Sequence, residues 1–360
     1  MGLLPLTVSL AYDNLIFLMT TLNVGIIGCG TIFPMHAESL KRIPNVKIVA
    51  VCDIRQSRAA DKARRYGCNS YSDYKEMLSS ESLNAVHICT PHYLHAPMII
   101  EAAKRGINVL TEKPMALNPS DAKKEVAAAK KAGITFGVIS QNRFNPSSVL
   151  VKKRIKDGSL GKMKSARLVL SYCKPDSYYK KSDWKGRKDK EGGGVVIDQA
   201  IHYLDILRWL SPSPIEYVEA NIANRFHSFI KVEDSAEGVI KFKNGFYACF
   251  YLMNYYSYDD DPEIEIDCEK ARVNIVKDSA KIAYFKGNVE NAVPKKSEYI
   301  DYGDGVRDYW GYCHYNQIKD FYDSLLSGKK PAITGEDALE TQKLVWAIYE
   351  SSRRGAKVYL

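Results

Sequence analysis

An acid and a base lie close together in the segment EGGGVVIDQAIHYLD, residues 191–205. Asp198 and His202 are four residues apart, so a helix would place both side chains on one face. An imidazole titrates near neutral pH and can take a proton from a hydroxyl group. The pattern predicts a catalytic pair, and its structural alternative is a satisfied core histidine beside a helix-turn acid.

A glycine-rich turn, in VGIIGCGTIF, follows the first apolar run of the chain. Gly28 suits a tight turn and Gly30 the close approach of a pyrophosphate, which the next helix would bind with its free N–H groups. Phe33 occupies the usual third glycine position, which predicts a wider helix–strand fit. Asp53 ends the second strand, about 20 residues on, where an acid binds the adenosine ribose. We therefore predict NAD in preference to NADP, although Arg55 would suit a 2′-phosphate; the alternative is a Rossmann-like fold without a cofactor.

Lys113 lies in NVLTEKPMAL, at the carboxyl end of another predicted strand. Ligands of open parallel sheets bind at this edge, and Pro114 favours an extended backbone at the lysine. Beside a positively charged nicotinamide the lysine pKa would fall, so that the side chain could share a proton with a substrate hydroxyl. Position alone leaves a surface lysine at a strand end equally open.

Two patterns of secondary structure position these residues. Short apolar runs alternate with helical patterns from residue 23 to about 140, which predicts a parallel sheet covered on both faces. The predicted strands are 23–28, 46–53, 85–90, 108–112 and 135–140, and the predicted helices lie near 31–42, 56–66, 73–79, 94–105 and 119–132. After residue 144, a helix and long alternating strands predict a mainly antiparallel sheet, followed by helices near 312–327 and 335–352.

We accordingly predict an α/β protein with a dinucleotide-binding domain at residues 20–143 and a second domain at residues 144–360. Residues 1–18 are apolar but lack the basic start of a signal peptide, and Met19 follows them. We interpret them as an over-extended start or a loose tail; the alternative is a secretion signal.

Composition narrows the class of protein. The 360 residues are 46% hydrophobic without a long unbroken apolar stretch, which argues against a membrane span. The eight cysteines show no paired spacing, which favours reduced thiols in the cytoplasm, and His92 and His95 lack the second ligand pair that zinc would need. The net charge of +9 is spread along the chain, so we predict no nucleic-acid partner; the basic run 180–190 is either a solvated loop or a loop that attracts an anion.

Four motifs in this order, GIIGCG, CTPHYLHAPM, EKPMAL and GGGVVIDQAIHYLD, resemble the Gfo/Idh/MocA family of oxidoreductases over nearly the whole chain after residue 22. The resemblance implies an N-terminal Rossmann domain that binds NAD(P) and a C-terminal α/β domain with an open, mainly antiparallel sheet. That sheet often mediates oligomers in the family, so a homodimer or homotetramer is expected. Ala200 stands where the family commonly has glycine, which is a mild departure.

By this resemblance the catalytic residues are Lys113, Asp198 and His202, and no metal is expected. The cofactor-binding residues are Gly28, Gly30, Thr31, Ile32, Asp53, Arg55, Thr90, Pro91, His95, Glu112, Lys113 and Asn142. Further substrate contacts are expected from Arg143, Trp184, Lys185, Tyr172 and His314.

The predicted activity is hydride transfer between a nicotinamide and a secondary alcohol or ketone of a sugar, sugar acid, cyclitol or glycoside. His202 would act as the base, Asp198 would orient it or bind the substrate, and Lys113 would polarise the substrate hydroxyl. The glycines 192–194 would let the chain pass close to the ligand. Two alternatives are a redox-neutral hydrolase or lyase with retained NAD and a non-catalytic NAD(P)-binding regulator.

Overall fold

The computed structural model describes residues 21–295, 299–303 and 313–360, so the predicted tail 1–18 lies outside the described residues. Within these ranges the chain forms two sheets, one parallel and one mainly antiparallel. The predicted α/β class is therefore confirmed. None of the described helices is long and apolar enough to span a bilayer.

The first sheet is entirely parallel, in the order β3-β2-β1-β4-β5-β6. Its strands are β1 Leu22–Ile27, β2 Val46–Cys52, β3 Asn69–Tyr71, β4 Ala85–Ile88, β5 Asn108–Thr111 and β6 Phe136–Val138. Helices α1 Phe33–Leu40, α2 Gln56–Tyr66, α3 Tyr74–Ser80, α4 His95–Lys104 and α5 Pro119–Ala132 connect them. The strand order reverses between β1 and β4, and at such a switch point a crevice opens at the carboxyl ends of the strands.

The second sheet has the order β14-β13-β12-β11-β7-β10-β9-β8-β15. Its strands are β7 Met163–Ser171, β8 Ile215–Ala223, β9 Ser235–Phe242, β10 Tyr247–Met253, β11 Glu263–Cys268, β12 Ala271–Val276, β13 Ser279–Tyr284, β14 Val289–Ala292 and β15 Val358–Tyr359. All neighbouring strands are antiparallel except β7 and β10, which run parallel. The accompanying helices are α6 Pro146–Lys156, α7 Asp176–Lys180, α8 Lys188–Glu191, α9 Ile201–Leu210, α10 His314–Ser327 and α11 Gly335–Arg354.

One face of the second sheet forms the largest apolar core. Alternate residues of β10, such as Phe250 and Leu252, are buried against this core, whereas Tyr247 and Tyr251 on the opposite face are exposed. Leu204 of α9 belongs to the same core, so the helix that carries His202 is anchored by apolar burial on this face of the sheet.

The glycines before α9 serve protein packing. A side chain at Gly193 would overlap the hydroxyl of Tyr349, and one at Gly194 would overlap the backbone oxygen of Glu233. The backbone oxygen of Glu233 also accepts a hydrogen bond from the N–H of Val195 at 3.2 Å. The interpretation that residues 192–194 bring the chain close to a ligand is therefore corrected for Gly193 and Gly194, which fit the chain against α11 and the loop before β9.

Replacing Gly194 by alanine is expected to lower the free energy of unfolding by at least ~2 kcal/mol, because a fixed backbone atom occupies the space of the new methyl group. Urea unfolding followed by circular dichroism measures the change. Gly30→Ala is the matched control, since no atom lies within 4 Å of that position, and it should leave the cofactor-free protein as stable as before. Equal stability of both variants and the parent would contradict the packing role of Gly194.

Candidate active site

Lys113 and Asp198 meet between the two sheets. Lys113 follows β5 at the carboxyl edge of the parallel sheet, and Asp198 lies in the π-helical turn Val196–Ala200 just before α9. The Nζ atom of Lys113 donates to the Asp198 backbone oxygen at 2.5 Å and to its Oδ1 at 3.1 Å. A residue from each half of the chain thus contributes to one polar group, as predicted for these two positions.

The other oxygen of the Asp198 carboxylate is held by three further donors. Lys185 Nζ, the Tyr178 hydroxyl and Gln199 Nε2 approach Oδ2 at 2.9, 2.7 and 2.6 Å. Asp198 is only 8% exposed, and burial alone would raise its pKa. The charges of Lys185 and Lys113 outweigh burial and hold the pKa of this carboxyl well below its usual range. Asp198 is therefore a carboxylate with both oxygens engaged.

Three further side chains lie around the Asp198 group: Glu191, His92 and Trp184. Burial and the nearby Asp198 charge raise the pKa of Glu191 to about 8, and its carboxylate accepts from the Gly186 N–H. The His92 ring lies 4.6 Å from the Trp184 ring; its Nδ1 is 2.9 Å from the Glu191 backbone oxygen. Trp184 and Lys185, predicted as substrate contacts, thus lie beside Asp198.

Four members of this group were not among the predicted site residues: His92, Tyr178, Glu191 and Gln199. The sequence around Tyr178 and Tyr179 does not show whether these side chains contact a ligand or pack inside the protein. Gln199 adjoins Asp198 in the chain, but an amide next to an acid carries no signal of its own. His92, Glu191 and Gln199 lie inside the quoted segments CTPHYLHAPM and EGGGVVIDQAIHYLD, and the basic run 180–190 pointed to the same region.

His202 presents a partly buried imidazole with no hydrogen-bond partner among the residues that the structure describes. Burial and the charge of Lys113 lower its pKa to about 3, so the ring is neutral at ordinary pH and able to accept a proton. The expected continuous α-helix is instead a π-helical turn up to Ala200 and an α-helix from Ile201. Asp198 binds lysines, a tyrosine and a glutamine, and no described contact joins it to His202, so the expected orienting contact is corrected.

The glycine turn leaves room at the amino end of α1. Gly28 has φ +97°, and a Cβ there would lie 2.5 Å from the backbone oxygen of Cys89. A Cβ at Gly30 would meet no atom within 4 Å apart from its chain neighbours, and Ile32 caps α1 without a side-chain hydrogen bond. Thr31 is exposed at the same end. Open space before an uncapped helix start fits a dinucleotide pyrophosphate.

Asp53 lies beside this turn at the end of β2. Its Oδ2 accepts from the Cys29 N–H at 2.9 Å, and its Oδ1 accepts from the Arg55 N–H at 2.9 Å. The Arg55 residue itself is exposed. Carboxylate oxygens retain lone pairs after one such bond each, so Asp53 can still accept from ribose hydroxyls.

His95 joins the two loops that face this crevice. Its Nδ1 lies 2.7 Å from the Pro114 backbone oxygen and its Nε2 lies 2.9 Å from that of Thr90. Both neighbours are carbonyl oxygens, and burial lowers the pKa of His95, so the neutral ring donates to one of them at a time. The fully buried ring lies between the loop of Thr90 and Pro91 and the loop of Lys113 and Pro114, and its cofactor contact stays a prediction.

Glu112 holds its carboxylate between the Lys113 backbone and a buried row of polar groups: its Oε2 accepts from the Lys113 N–H at 3.3 Å. Its Oε1 lies 2.9 Å from His36 Nε2 and 3.3 Å from His314 Nε2. His36 Nδ1 lies 2.8 Å from His87 Nδ1, whose Nε2 lies 2.8 Å from the Tyr322 hydroxyl. The cofactor contact predicted for Glu112 stays a prediction, and His314, predicted as a substrate contact, is bound to this carboxylate.

A carboxylate only accepts, which fixes the direction of these bonds. His36 donates from Nε2 to Glu112, accepts at Nδ1 from His87, and His87 accepts at Nε2 from the hydroxyl of Tyr322. Burial lowers the pKa of both histidines, and for Glu112 the bonds from His314 and His36 outweigh burial and hold the pKa well below its usual range. His36, Glu112 and His314 offer atoms within 4.8 Å of one another, a spacing that could suit a cation, but these bonds account for the cluster without one.

The remaining predicted residues lie elsewhere. Arg143 forms two 2.6 Å bonds to the Asp205 carboxylate, and no described contact joins it to the Asp198 group. Side-chain hydrogen bonds connect Tyr172 and Asn142 to Tyr203, and Tyr172 packs against the core of the second sheet. The expectation of a substrate contact from Arg143 is therefore not supported by its ion pairs.

Comparison with known proteins matches both halves of the chain. Residues 22–140 match the GFO/IDH/MocA family model, which is described as an oxidoreductase family with an NAD-binding Rossmann fold. Residues 149–274 match the model of the GFO/IDH/MocA C-terminal domain. The chain is 26% identical over 354 residues to myo-inositol 2-dehydrogenase of Thermotoga maritima. This match covers 94% of this chain and 98% of that protein.

Two further relatives are similar over almost the full length. The scyllo-inositol 2-dehydrogenase (NAD(+)) of Bacillus subtilis is 27% identical over 348 residues, or 93% of this chain and 95% of that protein. The WlbA dehydrogenase from Bordetella pertussis, solved in complex with NADH and UDP-GlcNAcA, has a TM-score of 0.83 and 27% identity over 95% of this chain and 98% of that chain.

Asp53→Ala is expected to weaken NAD⁺ binding by about tenfold and NADP⁺ binding much less. The reason is that the adenosine ribose of NAD⁺ offers two free hydroxyls to the carboxylate, whereas in NADP⁺ one of them carries a phosphate. Isothermal titration of both dinucleotides measures the difference. Gly30→Ala is the control that should weaken both alike, since its methyl would enter the pyrophosphate space. An equal loss of both dinucleotides in Asp53→Ala would show that Asp53 does not distinguish them.

Proposed function

Because the chain belongs to the Gfo/Idh/MocA family of oxidoreductases, we propose that it transfers a hydride between NAD and a secondary alcohol or ketone of a carbohydrate-like molecule. The substrate class is a sugar, sugar acid, cyclitol or glycoside, in line with the names of its relatives. The observation that carries the proposal is the Lys113–Asp198 contact between the two halves, together with a His202 ring that has no hydrogen-bond partner among the described residues.

Gly28, Gly30 and Asp53 would hold the dinucleotide, with the pyrophosphate at the start of α1. When bound, NAD supplies the hydride acceptor for the carbon that is oxidised. His202 takes the proton of the substrate hydroxyl, since its imidazole is neutral and has no competing partner among the described residues. Lys113 donates a hydrogen bond to the oxygen that loses this proton, and Asp198 holds the Lys113 ammonium group in place.

The basic side of the site favours a substrate with oxygen acceptors. Lys113 and Lys185 both lie on Asp198, and Glu191, 3.8 Å from Lys185, has a pKa of about 8 that leaves it mostly uncharged at neutral pH, so the surrounding is net positive. A hydroxyl-rich or carboxylate-bearing substrate would find donors there. Trp184 beside His92 offers an apolar surface to a sugar ring.

We further propose that copies of the chain associate through the exposed face of the second sheet, as a homodimer or homotetramer. Tyr247 and Tyr251 of β10 lie on that face, and exposed aromatic side chains are typical of interfaces. A cytoplasmic location is supported by eight cysteines that are all free thiols.

The test is a panel of sugars, uronates, cyclitols and glycosides with NAD⁺, followed by the absorbance of the reduced nicotinamide. His202→Ala is expected to lower kcat by at least ~100-fold on the substrate found, with NAD⁺ affinity and the unfolding midpoint unchanged as controls. Full kcat in His202→Ala would contradict its role as base. Stabilisation by NAD⁺ without its reduction by any substrate would contradict the dehydrogenase and favour redox-neutral use of a retained NAD.

The pH dependence offers an independent check. A base with a pKa near 3 stays unprotonated at higher pH, so kcat/KM should not fall as pH is lowered from 8 to about 5, where a histidine of ordinary pKa, about 6.5, would already be protonated. In Lys113→Met the repelling charge is gone, so the His202 pKa should rise, as measured by NMR titration of the ring. A fall of kcat/KM near pH 6.5 in the parent enzyme, lost in His202→Ala, would contradict the low pKa.

A further inference from the structure

A second concave site lies between α6 and the carboxyl end of α9. The cavity has a volume of about 600 Å³, within the usual range for small-molecule sites. Trp209, Phe144 and Ile333 supply apolar walls, and Lys152, Lys153 and Lys156 line the cavity on the side of α6. None of these residues contacts Asp198 in the described part of the chain, so the cavity is separate from the site described above.

Arg143 lines this cavity, and its positive charge is already balanced by carboxylates. Arg143 pairs with Asp205 and Asp337, and Arg208 pairs with the same two carboxylates. Two guanidinium groups and two carboxylates therefore balance. This network leaves no carboxylate for the lysines of α6.

The three lysines have no acidic partner within 4.0 Å among the described residues. Asp157 also lines the cavity, and it shares Arg154 with Glu290, at 2.9 and 2.8 Å. These two carboxylates and one guanidinium offset at most one of the three lysine charges. Lys152 is the most confined: its Nζ donates to the Trp209 backbone oxygen and lies 5.0 Å from the indole centre. Burial and the neighbouring Arg143 and Arg208 lower the pKa of Lys152, so its charge lacks compensation where it stands.

We propose that this cavity binds a small organic anion, with a phosphate or carboxylate group at Lys152, Lys153 and Lys156 and an apolar body against Trp209 and Ile333. The anion supplies the negative charge that the surrounding protein does not. Apolar walls with a few convergent polar groups favour such an amphipathic ligand over a bare ion. Through Arg143, the occupied site adjoins Asp205, three residues beyond His202 on α9.

The experiment uses the NAD⁺-saturated protein, so that the dinucleotide site is filled. Phenyl phosphate and benzoate are the two anionic probes, and benzyl alcohol is the uncharged one; isothermal titration gives each Kd. At least one anion should bind and benzyl alcohol should bind at least ~10-fold more weakly. Whichever anion binds more tightly identifies phosphate or carboxylate as the group that the lysines accept, and its affinity should fall with added salt.

The variant K152Q/K153Q/K156Q should weaken the tighter anion by at least ~10-fold. K123Q/K130Q/K131Q is the matched control, because it removes three exposed lysines from α5 and should leave Kd unchanged. If the first variant does not fold, K153Q/K156Q, at two exposed positions, should still weaken binding about threefold. Absence of binding by both anions, equal binding of benzyl alcohol, or equal loss in the control would overturn the proposal.

Discussion

The burial of the Asp198 carboxylate is the constraint on which the site depends. A charge in this position is tolerated only because Lys113 and Lys185 lie on its two oxygens and Tyr178 and Gln199 donate to it. Lys113 belongs to the parallel sheet, whereas the other donors belong to the second half of the chain. The electrostatic requirement of one buried acid therefore ties the two halves together at the place where chemistry is proposed.

Apolar patterning was sufficient for most of the fold. The predicted strands and helices of the parallel sheet agree with the observed ones to within about two residues, because buried parallel strands are continuous apolar runs. Strand β3, with the sequence NSY, was not predicted, since three polar residues at a sheet edge carry no such run. Strands β13 and β14 were also missed: β13 buries only Ala280 and Ile282, and β14 has no fully buried residue, so neither carries a strong apolar signal.

The site was predictable only in part. Lys113 and Asp198 could be singled out because motif and position coincide, and the structure brings them together. The contacts of Glu112 and His95 could not be predicted from the sequence. A buried side chain that binds backbone oxygens or other side chains looks the same in sequence as one that faces a ligand. The π-helical turn before Ile201 also has no periodic signature, although it decides that Asp198 and His202 contact different groups.

The buried row from Tyr322 through His87 and His36 to Glu112 has a single sense of direction. Each neutral member passes its hydrogen toward the carboxylate, so the row is a line of aligned dipoles that solvates an anion where water does not reach. Replacement of His87 would leave the Tyr322 hydroxyl without its acceptor and His36 Nδ1 without its donor, each at a cost of about 1–3 kcal/mol. The four residues therefore behave as one unit, because a change in either histidine breaks two of the three hydrogen bonds of the row.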